Sequence, residues 1–307
     1  MAEATLVTRN LRKDIGKKTI VSDINLSIPA GEVFGFLGPN GAGKTTTIRM
    51  IVGLTHITQG EVIIHGHPLR GQFREAMRDV GCIVENPEMY RYMSGLDNML
   101  LFAKLYPGID RKRVDEVVQT VGMEAAIRDK VKTYSLGMRQ RLGIALALLH
   151  KPRLLILDEP TNGLDPAGIR EMRELLRRLA GEGLTVFVSS HILSEMQQMC
   201  DRVGIIHHGR MVTVKPVEEL VNLAAPGGVQ LLMHTGDNTK AVGVIRGLEV
   251  KAEPAGDGIH VVAPPERVPE IVRALVLADV AVFSMDRQAN QSLEDVFMKL
   301  TEGRDNG

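Results

Sequence analysis

The residues with the most recognisable chemistry form a glycine-rich segment near the start of the chain. This segment, Gly38-Pro39-Asn40-Gly41-Ala42-Gly43-Lys44-Thr45, fits the pattern G-x-x-x-x-G-K-[ST] that cradles nucleotide phosphates. Glycines let backbone N–H groups turn toward phosphate oxygens, and the start of a following helix adds a partial positive charge. Lys44 is therefore predicted to bridge the outer phosphates of a nucleoside triphosphate. Thr45 is predicted to bind Mg²⁺, and Thr46 also belongs to the predicted nucleotide site.

The residues on both sides of this segment supply the context that the pattern needs. The apolar run Val33–Leu37 is typical of a short buried strand, and residues 46–52 are typical of a helix. Strand, glycine turn and helix then follow in the order of a phosphate-binding loop. A chance match to the short pattern is the alternative, and this context makes it less favoured.

Acidic residues and a histidine follow two further apolar runs. Asp158-Glu159 comes directly after Leu154–Leu157, and His191 comes just after the run 185–189. Parallel strands buried on both faces are predicted here, and such sheets bind ligands at the carboxyl ends of their strands. Taken alone, an acidic pair is usually a solvated charge and a histidine is usually structural. Their positions after buried strands favour a role in a site instead.

Composition limits the classes of protein that the chain can belong to. The 307 residues suggest about two domains, and 37 Lys and Arg against 37 Asp and Glu leave no broad basic surface for nucleic acid. Two cysteines cannot form a disulfide framework or a four-cysteine zinc site. Because no apolar run reaches the roughly 18 residues that span a bilayer, we expect a soluble chain.

The pattern of apolar and polar residues changes twice along the chain. Alternating strands over 5–30 are followed by a helical lobe at about 86–150, which is inserted in the first domain, 1–222. After a linker near 223–228, a second α+β domain is predicted over 228–307. Its order β-α-β-β-α-β is compatible with a ferredoxin-like split βαβ sandwich, followed by a last helix from Leu293 to Leu300.

Taken in order, these motifs resemble the nucleotide-binding subunit of ABC transporters. The likeness covers residues 5–220 and is most specific over Ser135 to Asp165, which contains Leu-Asp-Glu-Pro-Thr-Asn-Gly-Leu-Asp. The resemblance implies an α/β P-loop ATPase fold with a mixed sheet core, an antiparallel β subdomain and the helical lobe. It also implies ATP as the nucleotide and a head-to-tail dimer with a second copy or a paralogous subunit. Transmembrane permease subunits would hold that dimer at the cytoplasmic face of the membrane.

The resemblance also implies a role for each matching residue. Asp158 holds Mg²⁺ through water, Glu159 polarises the attacking water, and His191 contacts the γ-phosphate. Ser135 and Gly137 of one subunit approach the phosphates bound by the other. Asp165 lies across the dimer interface, a role that is compatible with capping its own helix. These roles suit phosphoryl transfer, which depends on positioning and charge neutralisation.

The chain departs from the family's usual pattern in one five-residue segment and at two further positions. The common Leu-Ser-Gly-Gly-Gln segment is here Tyr134-Ser135-Leu136-Gly137-Met138, which keeps the serine and glycine with phosphate chemistry. Glu85 stands where glutamine is usual, and a carboxylate is still a hard oxygen ligand for Mg²⁺. Ile15 replaces the aromatic residue that stacks on adenine, so we expect weaker base contacts. Glu85 followed by Asn-Pro resembles the bacitracin and lantibiotic-resistance branch of exporters.

The sequence therefore predicts an ATP-hydrolysing subunit that powers an exporter of antimicrobial peptides, drugs or lipids. Import is a second option, and a soluble mechanical ATPase serving chromosomes or ribosomes is the alternative outside transport. The segment between Glu85 and Ser135 holds no coiled-coil insertion, which argues against the latter. The segment Met89-Tyr90-Arg91-Tyr92 suits contact with a membrane partner or packing of the lobe equally well. The cargo cannot be deduced from this chain.

Overall fold

The computed structural model describes residues 4–224 and 229–287. The chain divides into two compact units, Met1–Val217 and Glu218–Gly307, so the division falls a few residues before the expected linker. The predicted helix Leu293 to Leu300 lies outside the described residues.

The first unit begins with an antiparallel sheet. Strands β1 (Ala4–Ile15) and β2 (Lys18–Pro29) form a long hairpin, as the alternating sequence predicts. Strands β4 (Gln59–Ile64) and β5 (His67–Pro68) extend it in the order β2-β1-β4-β5. The alternate residues of β2 that point inward are buried with β1 in one apolar core, which fixes the register of the hairpin.

A six-stranded sheet forms the centre of the unit, in the order β10-β9-β3-β8-β7-β6. The pairs from β9 to β6 are parallel, and only β10 runs antiparallel. The strands β3, β7 and β8 are buried on both faces, as continuous apolar runs predict. The strands are β3 (Val33–Leu37), β6 (Val80–Ile83), β7 (Leu154–Leu157), β8 (Thr185–Ser190), β9 (Arg202–His207) and β10 (Arg210–Pro216).

Helices connect these strands, and their starts follow local capping chemistry. Ser94 accepts from the N–H of Asp97 in a capping box, and Asp110 and Asp165 cap the starts of two further helices. The helices of this unit are α1 (Lys44–Ile51), α2 (Phe73–Arg78), α3 (Gly95–Ala103), α4 (Arg111–Thr120), α5 (Leu136–Leu148), α6 (Pro166–Gly181) and α7 (Leu193–Met199). Helices α3 to α5 form the lobe between β6 and β7, as predicted.

A buried asparagine fastens one loop of this lobe to a helix. Asn98 of α3 is fully buried, and its Oδ1 accepts from the N–H of Tyr90 at 2.9 Å. Its Nδ2 donates to the carbonyl oxygens of Tyr90 at 3.1 Å and Ser94 at 2.9 Å. The loop that contains Tyr90 is therefore bonded to α3 through both backbone polar groups of one residue.

The second unit is a four-stranded antiparallel sheet with two helices. Its strand order is β12-β13-β11-β14, and α9 and α10 pack with the sheet around a separate apolar core. The elements alternate along the chain as β-α-β-β-α-β. They are β11 (Val229–Thr235), α9 (Asn238–Gly247), β12 (Lys251–Ala255), β13 (Gly258–Ala263), α10 (Val268–Leu277) and β14 (Val282–Arg287), preceded by α8 (Val217–Ala224) at the junction of the units.

Candidate functional site

The glycine-rich segment forms a tight loop between β3 and α1. Gly41 and Gly43 have φ angles of 81° and 106°, in the left-handed region that only glycine adopts readily. A Cβ at Gly38 would lie 2.4 Å from the carbonyl oxygen of Ile206, so a side chain cannot fit there. Gly43 ends the loop at the start of α1. Each of these glycines is thus required by the conformation or the packing of the loop.

Lys44 lies inside the loop and is almost fully buried. Its Nζ donates to the carbonyl oxygens of Gly38 at 2.7 Å and Pro39 at 3.2 Å. The same ammonium lies 3.1 Å from Oε1 of Glu159. The ammonium of Lys44 is therefore held by the loop next to the carboxylate of Glu159, which follows the end of β7.

Two consecutive carboxylates follow β7. Asp158 is buried, and its Oδ1 accepts from the hydroxyl of Ser189 at 2.6 Å. Glu159 has a positive φ of 50°, and its N–H donates to the same Ser189 oxygen at 3.0 Å. Oε2 of Glu159 lies 2.7 Å from Nδ1 of His191. The ends of β7 and β8 thus bring Asp158, Glu159 and His191 to one edge of the sheet.

The loop, Glu159 and His191 surround a hollow of about 520 Å³, which we call the phosphate-loop hollow. Asp158 lies outside its lining. Its size falls in the range of small-molecule sites. Backbone N–H groups, one ammonium and an imidazole around it suit a polyphosphate. Its lining is Ile20, Asn40, Gly41, Gly43, Lys44, Thr45, Thr46, Glu159, Asn162 and His191.

Glu85 and Ile15 lie apart from this lining. Glu85 follows β6 with a positive φ of 67°, and its carboxylate forms an ion pair with Arg49 of α1. Ile15 is at the tip of the β1–β2 hairpin, and 59% of it is exposed. The apolar side chain that lines the hollow is Ile20, on the returning strand. A Mg²⁺ role for Glu85 and a base contact for Ile15 stay predictions.

A second hollow contains the other predicted site residues. Ser135 caps α5 by accepting from the N–H of Met138 at 3.2 Å, and Oδ1 of Asp165 accepts from the N–H of Gly168 at 2.9 Å. Together with Gly137 they line a hollow of about 580 Å³, which we call the Ser135 hollow. The two hollows have no lining residue in common.

Sequence reasoning missed two residues that line the phosphate-loop hollow, Asn162 and Ile20, and one that supports its carboxylates, Ser189. Ser189 is a polar residue in a run that is predicted to be a buried strand, and a buried hydroxyl needs a hydrogen-bond partner, which is the signal that could have marked it. Asn162 follows the acidic pair closely in sequence. Ile20 is the third residue of β2, and no motif includes it.

Known proteins resemble the chain along nearly its whole length. The family described as ABC transporter matches residues 21–162. The uncharacterized ABC transporter ATP-binding protein YhcH of Bacillus subtilis is 43% identical over 97% of this chain and 96% of that protein. This chain is an ABC transporter ATP-binding protein. As a member of that family it is an ATPase that couples ATP hydrolysis to transport.

Two other relatives bear on the branch within the family. The bacitracin transport ATP-binding protein BcrA of Bacillus licheniformis is 49% identical over 69% of this chain and 70% of its own length. The lantibiotic transport ATP-binding protein SrtF of Streptococcus pyogenes is 42% identical over 75% of this chain and 98% of its own length. The resemblance to this branch, read from Glu85-Asn86-Pro87, is confirmed.

A solved structure supports the ABC ATPase fold. The structure of cbiO1 from Clostridium perfringens, part of the ABC transporter complex cbiONQ, matches with a TM-score of 0.66 and 27% identity. The match covers 73% of this ATPase and 96% of that chain. The predicted fold class is confirmed. Among the described residues, no helix is both long and apolar enough to cross a bilayer.

Proposed function

We propose that this ABC ATPase hydrolyses ATP at composite sites, each made by two subunits arranged head to tail. The observation that carries the proposal is the separation of the two hollows within one chain. Lys44, Glu159 and His191 surround one hollow, whereas Ser135, Gly137 and Asp165 line the other. A second copy or a paralogous subunit can supply its Ser135 hollow to the first copy's phosphate loop. Such an exchange produces two composite sites, which are equivalent when the two subunits are identical.

Gly137 adds an argument for an approaching ligand. A Cβ at this position would lie 3.8 Å from Cδ2 of Leu164, which is an ordinary contact, and its backbone is helical. Neither packing nor conformation of the chain therefore requires glycine there. A phosphate bound by the partner subunit would require it, because the helix N-terminus could then approach with a bare backbone N–H.

The residues of the phosphate-loop hollow suit ATP hydrolysis in defined roles. The loop N–H groups and Lys44 bind the outer phosphates, and His191 contacts the γ-phosphate. Glu159 polarises the attacking water, and its position is fixed because its carboxylate already lies between Lys44 and His191. The composite site closes over ATP when the two subunits meet, and hydrolysis reopens it.

The hard oxygen donors near the hollow fit Mg²⁺. The hydroxyl of Thr45 and the buried carboxylate of Asp158 are the ligand types that this ion prefers. Glu85, whose carboxylate pairs with Arg49, is a third oxygen ligand of the proposal. Bound Mg²⁺ would neutralise charge on the phosphates. Asp158 is kept in place for this role by the Ser189 hydroxyl.

We further propose that the subunit powers an exporter of an antimicrobial peptide, a drug or a lipid. The names of the bacitracin and lantibiotic relatives support the antimicrobial peptide among these cargoes. Transmembrane permease subunits would be the partners, and they would hold the ATPase at the cytoplasmic face of the cell membrane. Tyr90 and Tyr92, which form an edge-on aromatic pair and are 47% and 71% exposed, suit contact with such a partner.

A mixing experiment tests the composite site. Lys44→Ala disables the phosphate loop, and Ser135→Arg disables the Ser135 hollow. Each variant alone is expected to lose ATPase activity in the assembled complex. A mixture is expected to recover activity, because one site of the mixed dimer then has both intact halves. If both variants fold and pair but the mixture stays inactive, the composite site is wrong.

Purification from native membranes tests the transport role. A multi-span membrane protein is expected to co-purify with the full chain. Stable association with ribosomes or DNA, and no membrane partner, would instead favour a mechanical ATPase outside transport.

A further inference from the structure

A single buried hydroxyl connects both carboxylates of the site. Ser189 lies near the end of β8 and has no exposed surface. We propose that Ser189 is a positioning residue of ATP hydrolysis that aligns Asp158 and Glu159 together. This inference rests on the proposed roles of those two carboxylates, and it assigns a role that the motifs of the chain do not include.

The hydrogen bonds of Ser189 have a defined direction. Its Oγ–H donates to Oδ1 of Asp158 at 2.6 Å, and the same oxygen accepts from the N–H of Glu159 at 3.0 Å. The carboxylate can only accept and the amide can only donate, so the hydroxyl proton points toward Asp158. One side chain thus fixes the side chain of one residue and the backbone of the next.

The backbone of Glu159 needs such support. Its φ of 50° is unfavourable for a residue with a side chain, because Cβ crowds the carbonyl oxygen. A hydrogen bond to its N–H favours this conformation over extended alternatives. The conformation in turn determines where the Glu159 carboxylate points, which is toward Lys44 and His191.

A residue just after the end of β8 also holds the side chain of Glu159. His191, two residues after Ser189, contacts Oε2 of Glu159 at 2.7 Å. The end of β8 therefore holds both the backbone and the carboxylate of Glu159. Without the Ser189 bond, Glu159 would be held through its carboxylate contacts but no longer through its backbone N–H. Small displacements of a reacting group are costly for catalysis.

A structural role for a buried hydroxyl is the competing explanation, and β8 contains a matched control for it. Thr185, at the opposite end of the strand, is also buried. Its Oγ1 accepts from the N–H of Gly31 at 3.0 Å and shares a hydrogen bond with the hydroxyl of Thr5 at 3.2 Å. Thr185 thus lies in the same strand as Ser189, is similarly buried and also makes two hydrogen bonds, but its partners Gly31 and Thr5 are not residues of the site.

The test compares Ser189→Ala, Thr185→Val and Glu159→Gln in the full-length chain, alone and with its membrane partner. We expect Ser189→Ala to lower kcat about 10- to 100-fold while KM for ATP changes little. Ser189→Ala and Thr185→Val are each expected to lower Tm by a few degrees, but Thr185→Val should leave kcat within about twofold. Binding of Mn²⁺ in the presence of ATP, followed by electron paramagnetic resonance, is expected to weaken only for Ser189→Ala.

The outcomes separate this inference from the proposed function. Equal losses of kcat for Ser189→Ala and Thr185→Val, with Mn²⁺ binding intact, would show that the hydroxyl only supports the fold. If Glu159→Gln lowers kcat and Ser189→Ala does not, the positioning role fails and the proposed function stands. If Glu159→Gln leaves kcat unchanged, the role that we propose for Glu159 is wrong, and the inference about Ser189 that rests on it is wrong too.

Discussion

Lys44 and Glu159 face each other across the phosphate-loop hollow, with Nζ and Oε1 3.1 Å apart. The ammonium is almost fully buried, and the carboxylate belongs to a residue with a left-handed backbone. A buried charge is costly without a partner, so each group stabilises the position of the other. The arrangement links phosphate binding to the placement of the carboxylate that we propose acts on water.

Replacing Glu159 with Gln removes that negative charge while keeping the shape. We expect kcat to fall by at least about 100-fold, because the side chain can no longer polarise water as a base. ATP affinity should not fall, because Lys44 is released from the carboxylate. Phosphate release and binding of a fluorescent ATP analogue measure the two effects. Glu61→Gln, in a surface ion pair with Arg9, is the control and should change neither.

Two glycines of helix α5 should respond differently to alanine. A Cβ at Gly143 would lie 2.5 Å from Cβ of Pro87, so Gly143→Ala should lower the free energy of unfolding by about 1 to 3 kcal/mol. Gly137→Ala meets no such clash, and alanine is the better helix former, so stability should be kept or raised. Its ATPase activity in the assembled complex should nevertheless fall about tenfold or more. Denaturant unfolding and phosphate release distinguish these effects. Unchanged activity of Gly137→Ala would contradict the close approach of a partner's phosphate.

The tip of the first hairpin should tolerate an added aromatic ring. Because Ile15 is largely exposed, Ile15→Tyr should cost little stability, and stacking on adenine should tighten ATP binding about fivefold or more. Leu54→Tyr, at another exposed apolar position, is the control and should leave affinity unchanged. Titration calorimetry measures both. An unchanged affinity for Ile15→Tyr would mean that the base does not reach this residue.

His150 should make the stability of the first unit sensitive to acid. Burial lowers the pKa of His150; its Nε2 lies 3.1 Å from the carbonyl oxygen of Val80, and its ring stacks on Tyr106. Because a carbonyl only accepts, Nε2 carries the proton of the neutral ring, and Nδ1 is a buried atom without a hydrogen-bond partner. The unfolded chain therefore binds more protons below about pH 6.5, and stability is lost as the pH falls from there toward the lowered pKa.

His150→Phe removes this titration and can keep the stacking on Tyr106. We expect the difference in unfolding free energy between pH 7.5 and pH 5.5 to be smaller in His150→Phe than in the unmodified chain. Urea unfolding at both pH values measures it. An unaltered dependence for His150→Phe would show that other groups cause the acid sensitivity.

Local sequence signals predicted the elements that carry the site. Val33–Leu37 and Leu154–Leu157 are strands as expected, and Asp165 caps its helix. These predictions succeed because apolar runs and capping residues act over a few neighbouring positions.

The remaining features depend on contacts between distant positions. Ser189 and Asp158 are 31 residues apart, and the pairing of Arg49 with Glu85 joins a helix to the end of a strand. No pattern in the chain indicates that Ile20 lines the hollow, because the phosphate loop beside it comes from a different part of the fold. Such contacts are set by tertiary packing, which periodicity and spacing do not encode.

The hydrogen bonds of Asn98 restrict the motion of the loop that contains Tyr90. A loop that is bonded to a helix through both backbone groups of Tyr90 cannot swing as a free flap, so a force applied at Tyr90 displaces α3 with it. Helix α3 packs against α5, and α5 begins at the Ser135 hollow. The exposed tyrosines and the Ser135 hollow are therefore linked through α3 and α5 by a continuous series of direct contacts.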